Sequence, residues 1–485
     1  MSPARRESAL APVLVYTTMV TAIISSLGAQ LIPTISKDLH VSLSTAQWSL
    51  TVTLLVGAVS APIMGRLGDG PWRRETLLGG LAAVTLGGAL AALAPSLALL
   101  VAGRALQGIG LGLVPLTMAA AREHLPRERV PATIALLSVC AAAGVGIGYP
   151  LSGLIASGLG LSAAYWFGAL VSGFALLCVF AVVPSSRHLP RATLDVPGAL
   201  LLTAGLVALL LAITEGNGWG WASARVLGLL VFAAVALVGW VFQQLRAPAP
   251  LVELRLLRHR AVLTGDGCAV VIAVAMYLYL SGVTEYIQTP EAAGYGFSAT
   301  ILVAGLCLVP FSLFSIASSR ALPWLTRLVG LRALLPVGSL LIALGGLFFA
   351  LFHTALWQAF VMMAILGVGF GATFAAIPGL IVRSVPESET GSAMGFYQVI
   401  RYIGFSLGSA LAASILAGHT APGEHLPSES GFIFLFWLGV GICVAGAVLI
   451  WLVPVGGGAP TRREQLLGEE DAELGSAGLV GLTRE

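Results

Sequence analysis

Arg104, Arg401, Asp266 and Glu285 stand inside long runs of apolar sequence, where charge is rare. If those runs cross a bilayer, a charge at mid-depth costs at least about 2.5–3.5 kcal/mol, so a residue kept there has work to do. The two carboxyls can take up and release a proton. The two guanidiniums keep theirs. They suit binding an acid, a carbonyl or a substrate group, and repelling a second cation. At helical spacing, Tyr277 and Thr284 fall on the face of Asp266 and form a polar stripe with it. Gln107 lies one turn beyond Arg104, and Gln398 and Tyr402 lie within one turn of Arg401. Asp266 is the expected proton carrier and Glu285 the reserve. The plainer alternative for each is a solvated or capping acid, since each stands toward one end of its run. Glu215 reads as interfacial.

Helices must hold these residues at depth. The chain of 485 residues is 57% hydrophobic and only 10% charged. A soluble domain carries roughly 25% charged residues, so this chain cannot cover a water-facing surface. Its 59 glycines suit helices packed closely in lipid. Fourteen runs reach the length of a membrane helix: 10–34, 46–65, 76–95, 98–120, 130–157, 161–183, 195–214, 224–243, 261–285, 299–318, 331–352, 355–382, 391–417 and 431–453. The first is too long for a cleavable signal, whose apolar core is about 7–15 residues. The expected class is an all-α polytopic membrane protein in contact with the lipid bilayer.

The basic residues orient these runs. With the N-terminus inside, 21 of the 25 arginines and lysines fall in inner segments, and only Lys37 and Arg225 fall outside. That is a strong positive-inside bias. It predicts both termini in the cytoplasm and a place in the cell membrane. It also requires that 195–214 and 224–243 both cross or neither does. Gly216-Asn217-Gly218-Trp219-Gly220-Trp221 between them reads as a tight turn with interfacial aromatics.

The chain repeats itself. "LQGIGLGL" from Leu106 and "LGVGFGAT" from Leu366 carry matching glycine triads, Gly108/Gly110/Gly112 and Gly367/Gly369/Gly371. A Pro-led acidic loop follows each, "LPRE" at Leu125 and "VPES" at Val385. The expected organisation is a cytoplasmic N-terminus 1–9, a six-helix bundle 10–185, an inserted two-helix hairpin 195–244, a linker 245–260, a second six-helix bundle 261–453 and a disordered cytoplasmic tail 454–485. Two parallel six-helix halves in pseudo-two-fold arrangement are a known transporter plan.

Arg66, Asp69, Arg73, Arg74 and Glu75 crowd into one loop between runs two and three. Gly65, Leu67, Asp69, Arg73 and Arg74 there resemble the signature loop of the major facilitator superfamily, with Gly70 and Trp72 departing from its usual pattern. "AGRALQGIG" at 102–110 resembles the family's fourth-helix motif, with Arg104 and Gln107 in place. "GVGIGYPLSG" at 144–153 resembles its antiporter motif, with Pro150 one position late. The hairpin and the following "PLVELRLLRHR" resemble the fourteen-helix drug:proton antiporter branch.

The resemblance implies a proton-coupled secondary transporter that exports a small, largely apolar compound by alternating access. It implies a gating latch at Gly65, Asp69, Arg73, Arg74 and Glu123. It implies a pivot at Gly144, Gly148, Pro150 and Gly153, where small residues allow close helix approach and Pro150 bends the helix. The expected cavity is lined by Arg104, Gln107, Tyr277, Gln398, Arg401, Tyr402 and Gln30, of which the resemblance itself carries Arg104 and Gln107. One departure bears on coupling: the acid usual in the first span of this branch is Ile24 here, and a nearby Asn is Ala29. The alternative is therefore a uniporter, or a lipid or metabolite carrier of the same fold, without proton antiport.

The expected partners are the small-molecule substrate and protons, with no nucleic acid, no cofactor and no metal, and the expected state is a monomer. No nucleotide-binding loop, metal spacing or catalytic triad stands out, and the five cysteines all sit in apolar runs. Nothing in the sequence names the substrate.

Overall fold

Runs of apolar sequence interrupted by charged loops dictate an all-helical molecule. The computed structural model describes residues 3–25, 27–68, 71–126, 128–185, 194–248, 250–258, 260–382, 390–421, 423–424 and 426–452. Asp69 and the tail 454–485 lie outside them, as do Arg127, Arg187, Arg191 and Arg383.

The first group of helices is α1 (Pro3–Ser25), α2 (Ile32–Asp38), α3 (Leu43–Ala46), α4 (Trp48–Gly68), α5 (Arg73–Ala92), α6 (Leu97–Gly108), α7 (Leu113–His124), α8 (Val130–Leu159) and α9 (Leu161–Val182). A hairpin follows, α10 (Val196–Trp219) and α11 (Ala224–Arg246). The second group is α12 (Arg260–Gln288), α13 (Ile301–Cys307), α14 (Val309–Arg320), α15 (Leu322–Leu351), α16 (Leu356–Val382), α17 (Thr390–Gly418) and α18 (Glu429–Leu452). Among the described residues there is no strand. Twelve helical stretches there are long and apolar enough to cross a membrane, and α1 adds a shorter apolar stretch, Ala9–Ile24. The protein is a multi-pass membrane protein.

Several predicted runs are interrupted rather than continuous. The first is not one helix over 10–34: α1 ends at Ser25, a 3₁₀ turn spans Ala29–Leu31, and α2 follows with proline in its first turn. The fourth splits at a 3₁₀ turn over Ile109–Gly112, inside the first glycine triad, where side chains offer no support to the helix. The tenth splits at Leu308, just before Pro310, which cannot donate to the preceding turn. The eleventh begins early, at Leu322, and breaks at Gly330, whose φ of 78° is open chiefly to glycine.

The polar loop residues mark the helix starts. Ser42, Asp195, Ser223 and Thr300 each accept a backbone N–H of the first turn of α3, α10, α11 and α13. Such caps are worth about 0.5–2 kcal/mol each.

Close packing follows the glycines. A Cβ at Gly108 would strike the Thr53 carbonyl of α4, and one at Gly110 would meet Val84 of α5. A Cβ at Gly367 would strike the Phe311 carbonyl of α14, and one at Gly369 would meet the Gly338 carbonyl of α15. The triads therefore do the same thing twice: each lets one helix lie against the second and third spans of its own group. The buried side chains form two clusters, one centred on the first group and one on the second. In the hairpin, α10 packs on α17 and α4. Asn217 at its far end donates to the Ser414 carbonyl of α17. The other face of α11 exposes Val231, Val235, Val238 and Phe242.

Candidate functional site

The helices bring Arg66, Arg73 and Arg74 to one end of the molecule. Arg73 forms an ion pair with Glu123 of α7. Arg74 donates to the Phe180 carbonyl of α9 and lies over the Phe180 ring. Arg66 donates to the Pro250 carbonyl in the linker. These contacts bind α5 to α7 and α9 of its own group, and tie α4 to the linker. A Cβ at Gly65 would meet nothing. Asp69, the acid at the heart of the predicted latch, lies outside the described residues.

At the opposite end the two groups meet directly. Gln47, between α3 and α4, donates from Nε2 to Ser281 Oγ of α12 (2.8 Å) and to Ser409 Oγ of α17 (3.1 Å). Thr51 and Ser409 share a hydroxyl hydrogen bond of 2.8 Å. All four residues are buried. Gln30 donates to Ser152 Oγ of α8, and its backbone carbonyl accepts from Gln288 of α12. The predicted pivot is part of this contact. A Cβ at Gly153 would stand 2.8 Å from the Ile301 carbonyl oxygen. One at Gly305 would stand 2.6 Å from the Tyr149 carbonyl oxygen and 3.2 Å from Pro150 Cα. Helices α8 and α13 thus touch backbone to backbone. Gly148 is buried in α8; the surroundings of Gly144 lie outside what is described.

Between the two ends sit the predicted cavity residues. Arg104 on α6 is wholly buried. Its Nε donates to the Ser49 carbonyl and its Nη1 to Gln107 Oε1. Its Nη2 has no partner, and neither does Gln107 Nε2. The guanidinium faces the Tyr165 ring of α9 at 6.0 Å. Arg401 on α17 is ringed by Phe374, Tyr397, Tyr402 and Phe405, each centroid 5.5–5.7 Å away. Tyr402 also donates to the Leu111 carbonyl of the first group. Tyr277 packs on Phe405 at 4.7 Å and lies within electrostatic reach of both arginines. Gln398, half-buried, leaves its Oε1 without a partner.

Both candidate acids are buried. Asp266 is 3% exposed, and neither carboxyl oxygen takes a hydrogen bond. It lies within electrostatic reach of Tyr397, one of the rings around Arg401. Glu285 is 2% exposed and its Oε2 has no partner. It sits one turn beyond Ser281, so a buried carboxyl adjoins the neutral clasp made by Gln47, Thr51, Ser281 and Ser409. The predicted set thus divides in three: Arg104, Gln107, Tyr277, Arg401 and Tyr402 around the centre, with Asp266 reached through Tyr397; Gln30 and Glu285 at the clasp; Arg73, Arg74 and Glu123 at the arginine-rich end.

Sequence reasoning missed Tyr165, Phe374, Tyr397 and Phe405 around the arginines, and the whole clasp. Aromatic and hydroxyl residues are ordinary in membrane helices. Tyr397 and Phe405 stand one turn either side of Arg401 on α17, whereas Tyr165 on α9, Phe374 on α16 and the clasp residues gain their meaning only where helices cross.

The family model described as Major Facilitator Superfamily matches residues 14–409. The chain is 29% identical over 463 residues to a protein named tetracenomycin C resistance and export protein, from Streptomyces glaucescens, a match that covers 93% of this chain and 84% of that one. It is 30% identical over 443 residues to a protein named cephamycin export protein CmcT, from Amycolatopsis lactamdurans, covering 87% of each. Among solved structures, a peptide transporter crystallised with sulfate superposes with a TM-score of 0.67, covering 91% of this chain and 94% of that one at 13% identity, which shows a shared fold.

Proposed function

Because this chain belongs to the Major Facilitator Superfamily, we propose that it exports a small, largely apolar compound by alternating access, in exchange for protons. It is a transporter and not an enzyme. The observation that carries the coupling is Asp266: a buried carboxyl without hydrogen bonds, on the helix that opens the second group, toward the arginine-rich end. An acid that takes a proton from one side and gives it to the other needs such a place. The names of the relatives, resistance and export proteins, support efflux.

The same reading adds α1 and the thirty-residue α8 to the twelve spanning stretches, for fourteen crossings. It takes α10 and α11 as an insertion between two six-helix halves, and puts the arginine-rich end in the cytoplasm of a cell-membrane protein. The clasp then closes the outer face, and the Asp69 loop works as a latch at the inner one. Uniport on the same fold is the second reading. It is favoured by Ile24, an apolar residue where the antiporter branch carries an acid.

Flux in proteoliposomes decides between them. With tetracenomycin C and a cephamycin as first probes, uptake into inside-out vesicles that rises with an imposed pH gradient supports antiport. Flux indifferent to the gradient establishes uniport.

A further inference from the structure

At the centre of the molecule stand two cations, and among the described residues no carboxylate pairs with either. Arg104 has no exposed surface, yet its Nη2 has no partner. Beside it, Gln107 Nε2 and the Tyr165 hydroxyl are likewise without partners, at 3% and 1% exposure. That leaves three hydrogen-bonding groups, two of them pure donors, desolvated around one spot. On the other side of Tyr277, Arg401 lies among four aromatic rings, and its Nε is unpartnered too. The groups that act on the arginines are the phenols of Tyr165, Tyr277, Tyr397 and Tyr402, with no carboxylate among them. Asp266 acts on Tyr397, one of the rings around Arg401.

Buried charges are normally paired, and donors without acceptors are rare. A guanidinium offers a planar fork that fits a carboxylate or another delocalised anion. The rings around Arg401 offer flat apolar faces that suit a ring system. From this arrangement we propose that the transported compound is an aromatic acid: a flat, apolar ring body bearing one carboxylate or ionised phenol. The acid group is received by Arg104 with Gln107 and Tyr165, and the ring body lies along Tyr277 and the aromatics around Arg401. The proposal rests on the export reading and narrows it. It also accounts for a first span without an acid, since an anionic cargo has no use for a carboxylate at Ile24.

The test separates binding from flux. Purified protein in nanodiscs is titrated with three probes of similar size: 1-hydroxy-2-naphthoate, its methyl ester, and the cation tetraphenylphosphonium. Binding is read by intrinsic tryptophan fluorescence and by thermal shift. The naphthoate is expected to bind at least ten-fold more tightly than the ester, and the cation more weakly still. Arg104→Gln should remove the preference of acid over ester while leaving ester binding in place, and Arg104→Lys should keep part of it. If the glutamine variant does not fold, the wild-type comparison of the three probes decides alone. Equal binding of acid and ester, preference for the cation, or no naphthoate binding at millimolar concentration each overturns the proposal. Acid-selective binding without flux in proteoliposomes leaves the acid-binding site standing and overturns the export reading instead.

Discussion

At the scale of single residues, rarity made the central site readable. Arginine or aspartate within apolar sequence stands out, and Arg104, Arg401 and Asp266 are all buried or caged in the fold. Neighbours on the same helix, such as Gln107, Tyr277 and Tyr402, were readable with them; neighbours on other helices were not, because a tyrosine or serine in a membrane helix signals nothing until another helix crosses it. Tyr165 and Ser409 are the clear cases, each meaningful only through a partner far away in the chain. The burial of Asp266 was also hard to read in the sequence: it stands near one end of its run, and it is the packing of α12 against α16 and α17 that covers it. Asp266→Asn should abolish accumulation against a gradient, by ten-fold or more in proteoliposomes under an imposed pH difference. Substrate-for-substrate exchange should continue, since it needs no net proton movement. Retained accumulation would move the role to Glu285, with Glu285→Gln as the next variant.

At the scale of elements, apolar length predicted where helices lie but not where they break. The interruptions after Ser25, at Ile109–Gly112 and at Leu308 come from backbone chemistry too local to disturb an apolar average. The glycine triads were legible as a repeat, and the structure gives the physical reason for their spacing: alternate glycines meet two different neighbouring helices. A side chain at such a point forces helices apart, and overpacking of this kind costs about 1–3 kcal/mol. Gly367→Ala, whose Cβ would stand 2.5 Å from the Phe311 carbonyl oxygen, should lower the melting temperature measurably. Gly441→Ala, on the open face of α18 with nothing within 4 Å, should leave it unchanged or raise it slightly. Equal effects of the two, measured by thermal unfolding in one detergent, would count against close packing as the purpose of the triad.

At the scale of the whole molecule, the two helix groups are joined at the end opposite the arginines, and on the proposed alternating-access cycle that joint must part. Thr51 and Ser409 have short side chains already in hydrogen-bond contact. In a background with Cys140, Cys178, Cys268, Cys307 and Cys443 replaced, Thr51→Cys with Ser409→Cys should cross-link under mild oxidation. Transport should fall below a tenth of the reduced level and return with reductant. Full transport with a complete cross-link would show that this contact stays shut throughout the cycle. The joint has one more property. It is built from amides, hydroxyls and backbone approaching backbone at Gly153 and Gly305, and none of these carries charge. Ion pairs exposed to water weaken as dissolved salt shortens the Debye length, which is about 8 Å at physiological ionic strength and about 3 Å at 1 M. An amide–hydroxyl clasp is indifferent to that. If this joint is the outer closure, as proposed, its amide and hydroxyl contacts hold alike in brine and in fresh water, and the one ionisable group beside them, Glu285, is shielded by its burial.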